Sequence, residues 1–147
     1  MNINTQQSAQ LQKTNSIKLD RKIRPLVELF WRFDKQTIAS CQEHGNLKPY
    51  LAFYESDIHQ ISQLNNLMAA DVSSSQSSMY WAWSITPWLR NNSEIAWNLS
   101  PTRPKSWISA YWRPHLDSDL LSLVQIFERH FLLQNSTNEI SKLEVFP

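Results

Sequence analysis

Glycine and cysteine are nearly missing from this sequence. Gly45 is the only glycine among 147 residues, which excludes the phosphate-cradling loops of Rossmann and Walker nucleotide sites, because those loops need several glycines. Cys41 is the only cysteine, which excludes an internal disulfide framework and is typical of a reducing compartment. No apolar run approaches the roughly 18 residues needed to cross a bilayer. These absences favour a soluble, cytoplasmic protein that contacts no membrane and carries no cofactor.

Net charge is also small. The formal charge is +1, which is too little to steer the whole molecule onto nucleic acid or an acidic membrane, so any such attraction must come from local clustering. Hydrophobic residues make up 41% of the chain, which is a globular composition, and the length suits one domain. Residues 1–19 are polar and lack the apolar core of a secretory signal. We therefore predict a flexible N-terminal tail followed by a single domain over residues 20–147.

Apolar residues at helical spacing predict two helices in the N-terminal half. The first begins near Pro25, which a first turn tolerates, and runs to about His44, where the lone glycine is placed to end it. The second is capped by Ser56 or Asp57 and runs to about Ala70. The apolar stripes are Leu26, Leu29, Phe30, Phe33, Ile38 and Cys41 in the first helix, and Ile58, Ile61, Leu64, Leu67 and Met68 in the second.

The hydrophobic period changes from 3.6 to 2 near Met79. Three alternating runs predict an antiparallel meander. The links Pro87–Ser93 and Pro101–Lys105 carry the Pro, Asn and Ser that turns require, and a short strand is favoured over a turn for Tyr50–Tyr54. The alternating apolar positions are Trp81, Trp83 and Ile85; Ile95, Trp97 and Leu99; and Ile108, Ala110 and Trp112.

A C-terminal helix completes the predicted fold. Pro114 ends the last strand, Asp117 or Ser118 caps the helix, and the helix runs to about Gln134, before the polar stretch Asn135–Asn138. Its apolar side is expected to cover the Trp-bearing face of the sheet. The fold class is therefore α+β, with two N-terminal helices, an antiparallel meander of about three or four strands, and a C-terminal helix packed on the sheet.

The tail Ile140–Phe146 has two interpretations. Within it, Lys142-Leu143-Glu144-Val145-Phe146 resembles the pentapeptides by which bacterial replication proteins dock on the sliding clamp, although it lacks their leading glutamine. That resemblance covers five residues and would make the tail a docking peptide. A terminal edge strand that completes the sheet is the favoured interpretation.

The segment from Met79 to Pro114 is both aromatic and cationic. It contains six of the seven tryptophans, and four basic residues against a single acid, Glu94. Tyr, Trp and Arg are enriched at protein-binding hot spots, and sheet platforms stack unpaired bases on aromatic rings beside basic side chains. The segment therefore predicts a binding surface. Its candidate residues are Tyr80, Trp88, Arg90, Arg103, Lys105, Trp107, Tyr111 and Arg113.

Strand alternation predicts two different faces for these aromatic residues. Tyr80, Trp107 and Tyr111 fall on the face opposite the tryptophans that point toward the core. The alternative is that the aromatic residues fill both sides of a small sheet, because tryptophan supplies a large buried area. The tryptophans assigned to the core are Trp81, Trp83, Trp97 and Trp112.

The sequence contains no constellation typical of catalysis or metal binding. Cys41 and His44 lack a second pair of ligands at suitable spacing. His115 with Asp117 can be drawn as an acid–base pair, but a capping role for the carboxylate is favoured. We therefore predict a non-enzymatic adaptor or regulator that binds a protein partner through the cationic, Trp-rich surface. The alternative is a single-stranded nucleic-acid-binding protein that uses the same residues.

Overall fold

The computed structural model describes residues 21–41, 48–88, 95–105 and 112–144, and confirms the α+β class. The described part contains three helices and one four-stranded antiparallel sheet. The predicted tail, residues 1–19, lies outside the described residues. In chain order the elements are α1 (Arg24–Arg32), β1 (Thr37–Cys41), β2 (Tyr50–Tyr54), α2 (Ile58–Ser73), β3 (Trp81–Trp88), β4 (Ala96–Pro104) and α3 (Trp112–Glu144).

The strands do not follow one another as a simple meander. Their order is β1-β2-β4-β3, and every neighbouring pair is antiparallel. Because α2 carries the chain across the sheet, β3 enters at the far edge and β4 returns into the centre. The expected third strand of the meander falls mostly on residues 108–111, which lie outside the described residues. Trp112, assigned to that strand, instead begins α3.

The core lies on one face of the sheet, between the strands and the three helices. The register places Leu51 beside Leu99 and Leu99 beside Ile85, so these side chains share that face. Phe30 of α1 packs edge-on against Phe53 of β2, with ring centroids 4.9 Å apart. The helices supply Leu26, Leu29, Ile61, Leu64, Met68, Leu116, Leu120, Leu123, Phe127 and Phe131, all buried.

The first predicted helix is too long. The structure ends α1 at Arg32, and the chain reverses at Asp34, whose φ of 60° is in the left-handed region that aspartate tolerates. The Lys35 N–H then donates to the Phe30 carbonyl (2.9 Å) and closes the turn. Ile38 and Cys41 therefore belong to β1 and not to a helical stripe. Their spacing from the α1 residues matches a helical period only by chance, because the turn at Asp34 ends the helix before them.

The second predicted helix and the short strand before it are confirmed. Tyr50–Tyr54 forms β2, and α2 extends to Ser73, slightly beyond the predicted end. Asp57 is the N-cap of α2, because its carboxylate accepts the His59 N–H at 2.9 Å.

The C-terminal helix is longer than predicted at both ends. Asp117 and Ser118 lie inside α3 and cannot cap it, because the helix already begins at Trp112 with Pro114 in its first turn. The polar stretch Asn135–Asn138 does not end the helix. There the Thr137 hydroxyl donates to the Leu133 carbonyl (2.9 Å), one turn back, so its polar group is satisfied within the helix.

The edge strand that we expected at the end of the chain is wrong for the residues that the structure describes there. Residues 140–144 are helical, which excludes an edge strand there. Val145 and Phe146 lie outside the described residues, so the docking-peptide interpretation stays a prediction. None of the helices in the described part is long and apolar enough to span a bilayer.

Side chains occupy the outer edge of β3. Asn65 of α2 donates its amide N–H to the Ile85 carbonyl (3.1 Å) and accepts the Ile85 N–H (2.8 Å), as a neighbouring strand would. Pro87 has no N–H to offer, and Asp119 accepts the Trp81 N–H (2.9 Å). Such caps protect an edge strand from pairing with another chain.

Candidate functional site

The tryptophans of the Trp-rich segment serve mainly the core in the described part of the chain. Trp81 and Trp83 are 4% and 6% exposed. In the strand register, Trp83 pairs with Pro101 and Pro87 pairs with Trp97. This places the indoles of Trp83 and Trp97 on the core face, as the alternation predicted. Trp97 is half-buried, and its indole N–H donates to the Glu55 carbonyl at 2.9 Å. These indoles therefore pack in the core or against it, and do not form an exposed aromatic platform.

A buried carboxylate positions the start of β3. Asp119 of α3 is fully buried and accepts three hydrogen bonds: from the Tyr80 N–H (2.7 Å), the Trp81 N–H (2.9 Å) and the Trp83 indole N–H (2.9 Å). Burial raises the pKa of this carboxyl above its usual value, although the three hydrogen bonds act in the opposite direction. Asp119 thus fixes the backbone position of Tyr80, whose side chain is exposed, next to the buried Trp81.

Sequence reasoning missed Asp119, although a signal was present. Asp119 follows Leu116 by three residues and precedes Leu123 by four, so it lies on the apolar stripe of α3. A carboxylate on such a stripe must find buried donors, because an unpaired buried charge is too costly. The identity of those donors required the tertiary structure.

Basic and aromatic residues lie together at the end of the sheet where β3 begins and β4 ends. Tyr80 is 39% exposed and stacks on His115, with ring centroids 4.0 Å apart and planes 6° from parallel. The Lys105 N–H donates to the Tyr80 carbonyl (2.9 Å), and Arg103 pairs across the strands with Ala82. Lys48 places its ammonium 4.7 Å from the centroid of the Trp81 ring, a cation–π distance. We call Lys48, Tyr80, Arg103, Lys105 and His115 the cationic end.

The cationic end carries uncompensated positive charge within the described part of the chain. Lys48, Arg103 and Lys105 are exposed and form no salt bridge with any described residue. Of the acids nearby on α3, Asp117 pairs with Lys22, and Asp119 is buried against backbone donors. The local potential therefore favours a negatively charged ligand.

Trp88 lies away from the cationic end. It pairs with Ala96 at the other end of the β3–β4 hairpin, eight residues after Tyr80 and thus about 26 Å along an extended strand. Its ring is 6.0 Å from that of Tyr50, and both residues are half-buried. The predicted surface is therefore divided, with Tyr80, Arg103 and Lys105 together and Trp88 apart.

Four of the predicted binding residues cannot be placed by the structure. Arg90, Trp107 and Tyr111 lie outside the described residues. Arg113 belongs to α3, but its side chain lies outside the described part. Their role in binding stays a prediction.

The second face of the sheet, opposite the helices, is built from small and polar residues with a few aromatic rings. Ala52 and Ala96 are buried there, at 0% and 4% exposure. Asn98 lies between the strands that carry Tyr50 and Trp88, and its side-chain oxygen is buried without a hydrogen-bond partner among the described residues. This face therefore carries aromatic rings over a layer of small side chains.

A polar cleft of about 280 Å³ lies at the other end of the core. Lys35 and Glu55 form a 2.8 Å ion pair in it, with side chains only 14% and 15% exposed. The Lys35 ammonium also lies 5.1 Å from the Phe131 ring centroid. Burial and the nearby Lys35 charge lower the pKa of His130. Because the lysine and the glutamate neutralise each other, this cleft has less to offer a charged ligand than the cationic end.

Among the described residues, no group of three or more His, Cys, Asp or Glu side chains is placed so that it could hold a metal ion. The cationic end instead offers positive charge and a stacked aromatic pair. No protein-family model, curated protein or solved structure matches this chain.

Proposed function

We propose that the protein is a non-enzymatic adaptor or regulator that binds an acidic segment of a partner protein through the cationic end. The observation that carries the proposal is that three exposed cations, Lys48, Arg103 and Lys105, lie at the same end of the sheet as the Tyr80–His115 stack. Local net charge steers a partner of opposite sign and suppresses partners of the same sign. The single cysteine supports a cytoplasmic location as part of this proposal.

Charge alone would bind such a partner only weakly. An exposed ion pair contributes roughly 0.2–1 kcal/mol, because water and salt screen it. Tyr80 supplies the aromatic anchor that interfaces need, since tyrosine and arginine are enriched at hot spots. The Asp119 carboxylate accepts the Tyr80 backbone N–H (2.7 Å) and fixes this backbone in place. Little additional ordering is therefore needed when a partner binds.

A charge-reversal experiment tests the proposal. The probe is a fluorescently labelled glutamate-rich peptide, and binding is followed by anisotropy at low and physiological salt. The double variant Arg103→Glu with Lys105→Glu should bind at least about tenfold more weakly, because two attractions become repulsions. Tyr80→Ala should also weaken binding while it leaves the backbone N–H for Asp119.

The matched control is Arg129→Glu. Arg129 is an exposed arginine on α3, 14 residues and about 21 Å along the helix from His115. This variant changes the net charge of the chain without touching the cationic end, so peptide binding should stay close to that of the unmodified protein. The control reverses one charge and the double variant reverses two, so a control that loses half as much binding free energy as the double variant would attribute binding to net charge alone and reject the site.

The second face of the sheet favours single-stranded nucleic acid as an alternative ligand. Tyr50 and Trp88 present an aromatic pair there, and Arg103, paired with Ala82, reaches the same side. Aromatic rings beside basic side chains stack successive bases in known sheet platforms. Titration of a mixed-sequence oligonucleotide, followed by Trp fluorescence, tests this alternative, because bases that stack beside Trp88 would change its emission, and phosphate neutralisation makes low salt the most sensitive condition. An oligonucleotide that causes no change at low salt rejects this alternative.

A further inference from the structure

One face of α3 leaves large apolar side chains in water. Leu121 and Leu132 are 58% and 52% exposed, although each lies on a helix whose other side is buried. They are 11 residues apart, close to three full turns, so they lie on the same line along the helix. Gln125 and Glu128 lie between them at i+4 and i+7, on the same face. We call Leu121, Gln125, Glu128 and Leu132 the α3 stripe.

The α3 stripe runs beside an apolar groove. The groove, of about 440 Å³, lies between α1 and α3 and is lined by Pro25, Leu29, Trp31 and Val124 among others. Arg32 of α1 bonds to Glu128 (2.6 Å) at its margin. An exposed leucine beside such a groove can bury a facing apolar side chain from a second helix.

The C-terminal part of α3 has few contacts with the rest of the described chain. The 33 residues of α3 extend about 50 Å, and all residues from 132 to 137 are exposed except Gln134, which bonds to Gln60 and Gln63 of α2. A helical segment with so few tertiary contacts is marginal in water by itself. Packing against another helix would supply the missing contacts.

We propose that the α3 stripe is a dimer interface with a second copy of this chain, in which the two α3 helices pack antiparallel about a two-fold axis. Antiparallel pairing brings Leu121 of one copy against Leu132 of the other, and the reverse. The same pairing sets Gln125 opposite Glu128, where the amide N–H can donate to the carboxylate. The stripe is therefore self-complementary, as a two-fold interface requires.

The order of residues favours a second copy over an unrelated partner. The two leucines are equidistant from the centre of the stripe, and the two polar residues are too, so one sequence satisfies both sides of the contact. A parallel arrangement would instead set Glu128 against Glu128 and Gln125 against Gln125, so that no amide N–H would face a carboxylate of the other copy. This inference is independent of the cationic end, because it uses different residues and a different measurement.

Analytical ultracentrifugation over a wide range of protein concentration tests the proposal. The unmodified chain should form a dimer. Leu121→Glu alone and Leu132→Lys alone should each weaken it at least about tenfold, because a charge replaces a leucine that the dimer buries, at two symmetric places. The two substitutions together should restore dimerisation, because antiparallel packing sets the new glutamate against the new lysine of the other copy.

The control is Leu133→Lys. Leu133 is 62% exposed and adjacent in sequence, but it projects about 100° around the helix from Leu132. It should leave the dimer intact. Circular dichroism monitors the fold of every variant, and the restored double variant keeps the test valid if a single variant is less stable. A chain that is monomeric at all concentrations, or a dimer that the two single variants do not affect, overturns the proposal.

Discussion

Replacing Asp119 tests whether a buried carboxylate joins α3 to β3. In Asp119→Ala the three N–H groups of Tyr80, Trp81 and Trp83 lose their acceptor. The bonds from Trp81 and Trp83 are buried, so water cannot replace the carboxylate there. The variant therefore leaves two buried donors unsatisfied and one near the surface.

The expected loss is large relative to the stability of a small domain. An unsatisfied buried donor costs roughly 1–3 kcal/mol, and removing a desolvated carboxylate returns part of that cost. We expect the free energy of unfolding to fall by about 2–5 kcal/mol, from a typical total of about 5–15 kcal/mol. Urea denaturation followed by Trp fluorescence measures it.

Asp119→Asn is the matched control, because the amide keeps the shape of the carboxyl group. One oxygen of Asp119 accepts from Tyr80, and the other accepts from both Trp81 and Trp83. The amide oxygen should take the position with two bonds and leave only the half-buried Tyr80 N–H without an acceptor. The expected loss is about 1 kcal/mol. A loss below about 1 kcal/mol in the alanine variant would refute the role of this carboxylate.

The pH dependence gives an independent check on Asp119. Burial raises its pKa in the folded protein, so the folded state holds this proton more tightly than the unfolded chain, whose carboxyl titrates near 3.9. That contribution to stability is complete below about pH 3.9 and is lost as pH rises through the folded pKa. The unmodified protein should therefore gain stability relative to Asp119→Asn as pH falls from neutrality. A gain in the opposite direction would contradict the raised pKa.

Two further predictions concern the edge of the sheet and a histidine. Asn65→Ala removes both hydrogen bonds to Ile85, so it should lower the unfolding free energy by about 1–3 kcal/mol and increase concentration-dependent aggregation in light scattering; unchanged aggregation would argue against an edge-protecting role. Because the pKa of His130 is lowered, the folded state favours its neutral form, and stability should fall as pH drops below about 6.5. His130→Gln should remove that part of the pH dependence in urea titrations, and an identical profile would attribute it to other groups.

Local patterns predicted most elements, and failed where a turn or a distant contact decided the boundary. Alternation correctly placed Trp81 and Trp83 on the core face, because a strand sends every second side chain to the same side. The spacing of Ile38 extended the first helix wrongly, since nothing local revealed the left-handed turn at Asp34. In sequence, Pro114 fits a strand end, but a proline fits the first turn of a helix equally well, and the structure has it there.

The candidate site was predicted only in part. Composition singled out Tyr80, Arg103, Lys105 and Trp88 together as candidates for binding, but it could not show that Trp88 lies at the far end of the same hairpin. It also missed Lys48 and His115, which reach the site from the start of β2 and from α3. Residues that are distant in sequence meet only through strand order, which no local period encodes.

The sequence by itself excluded glycine-rich nucleotide loops and an internal disulfide framework. It also predicted the α+β class and the inward direction of the Trp81 and Trp83 indoles, because composition and period act over a few neighbouring residues. The tertiary structure alone decided that β4 lies between β2 and β3 and that Asp119 fixes the position from which Tyr80 points outward. The physical reason is that strand pairing and burial are settled between segments far apart in the chain. Their energies depend on which partners meet, and the local sequence does not specify those partners.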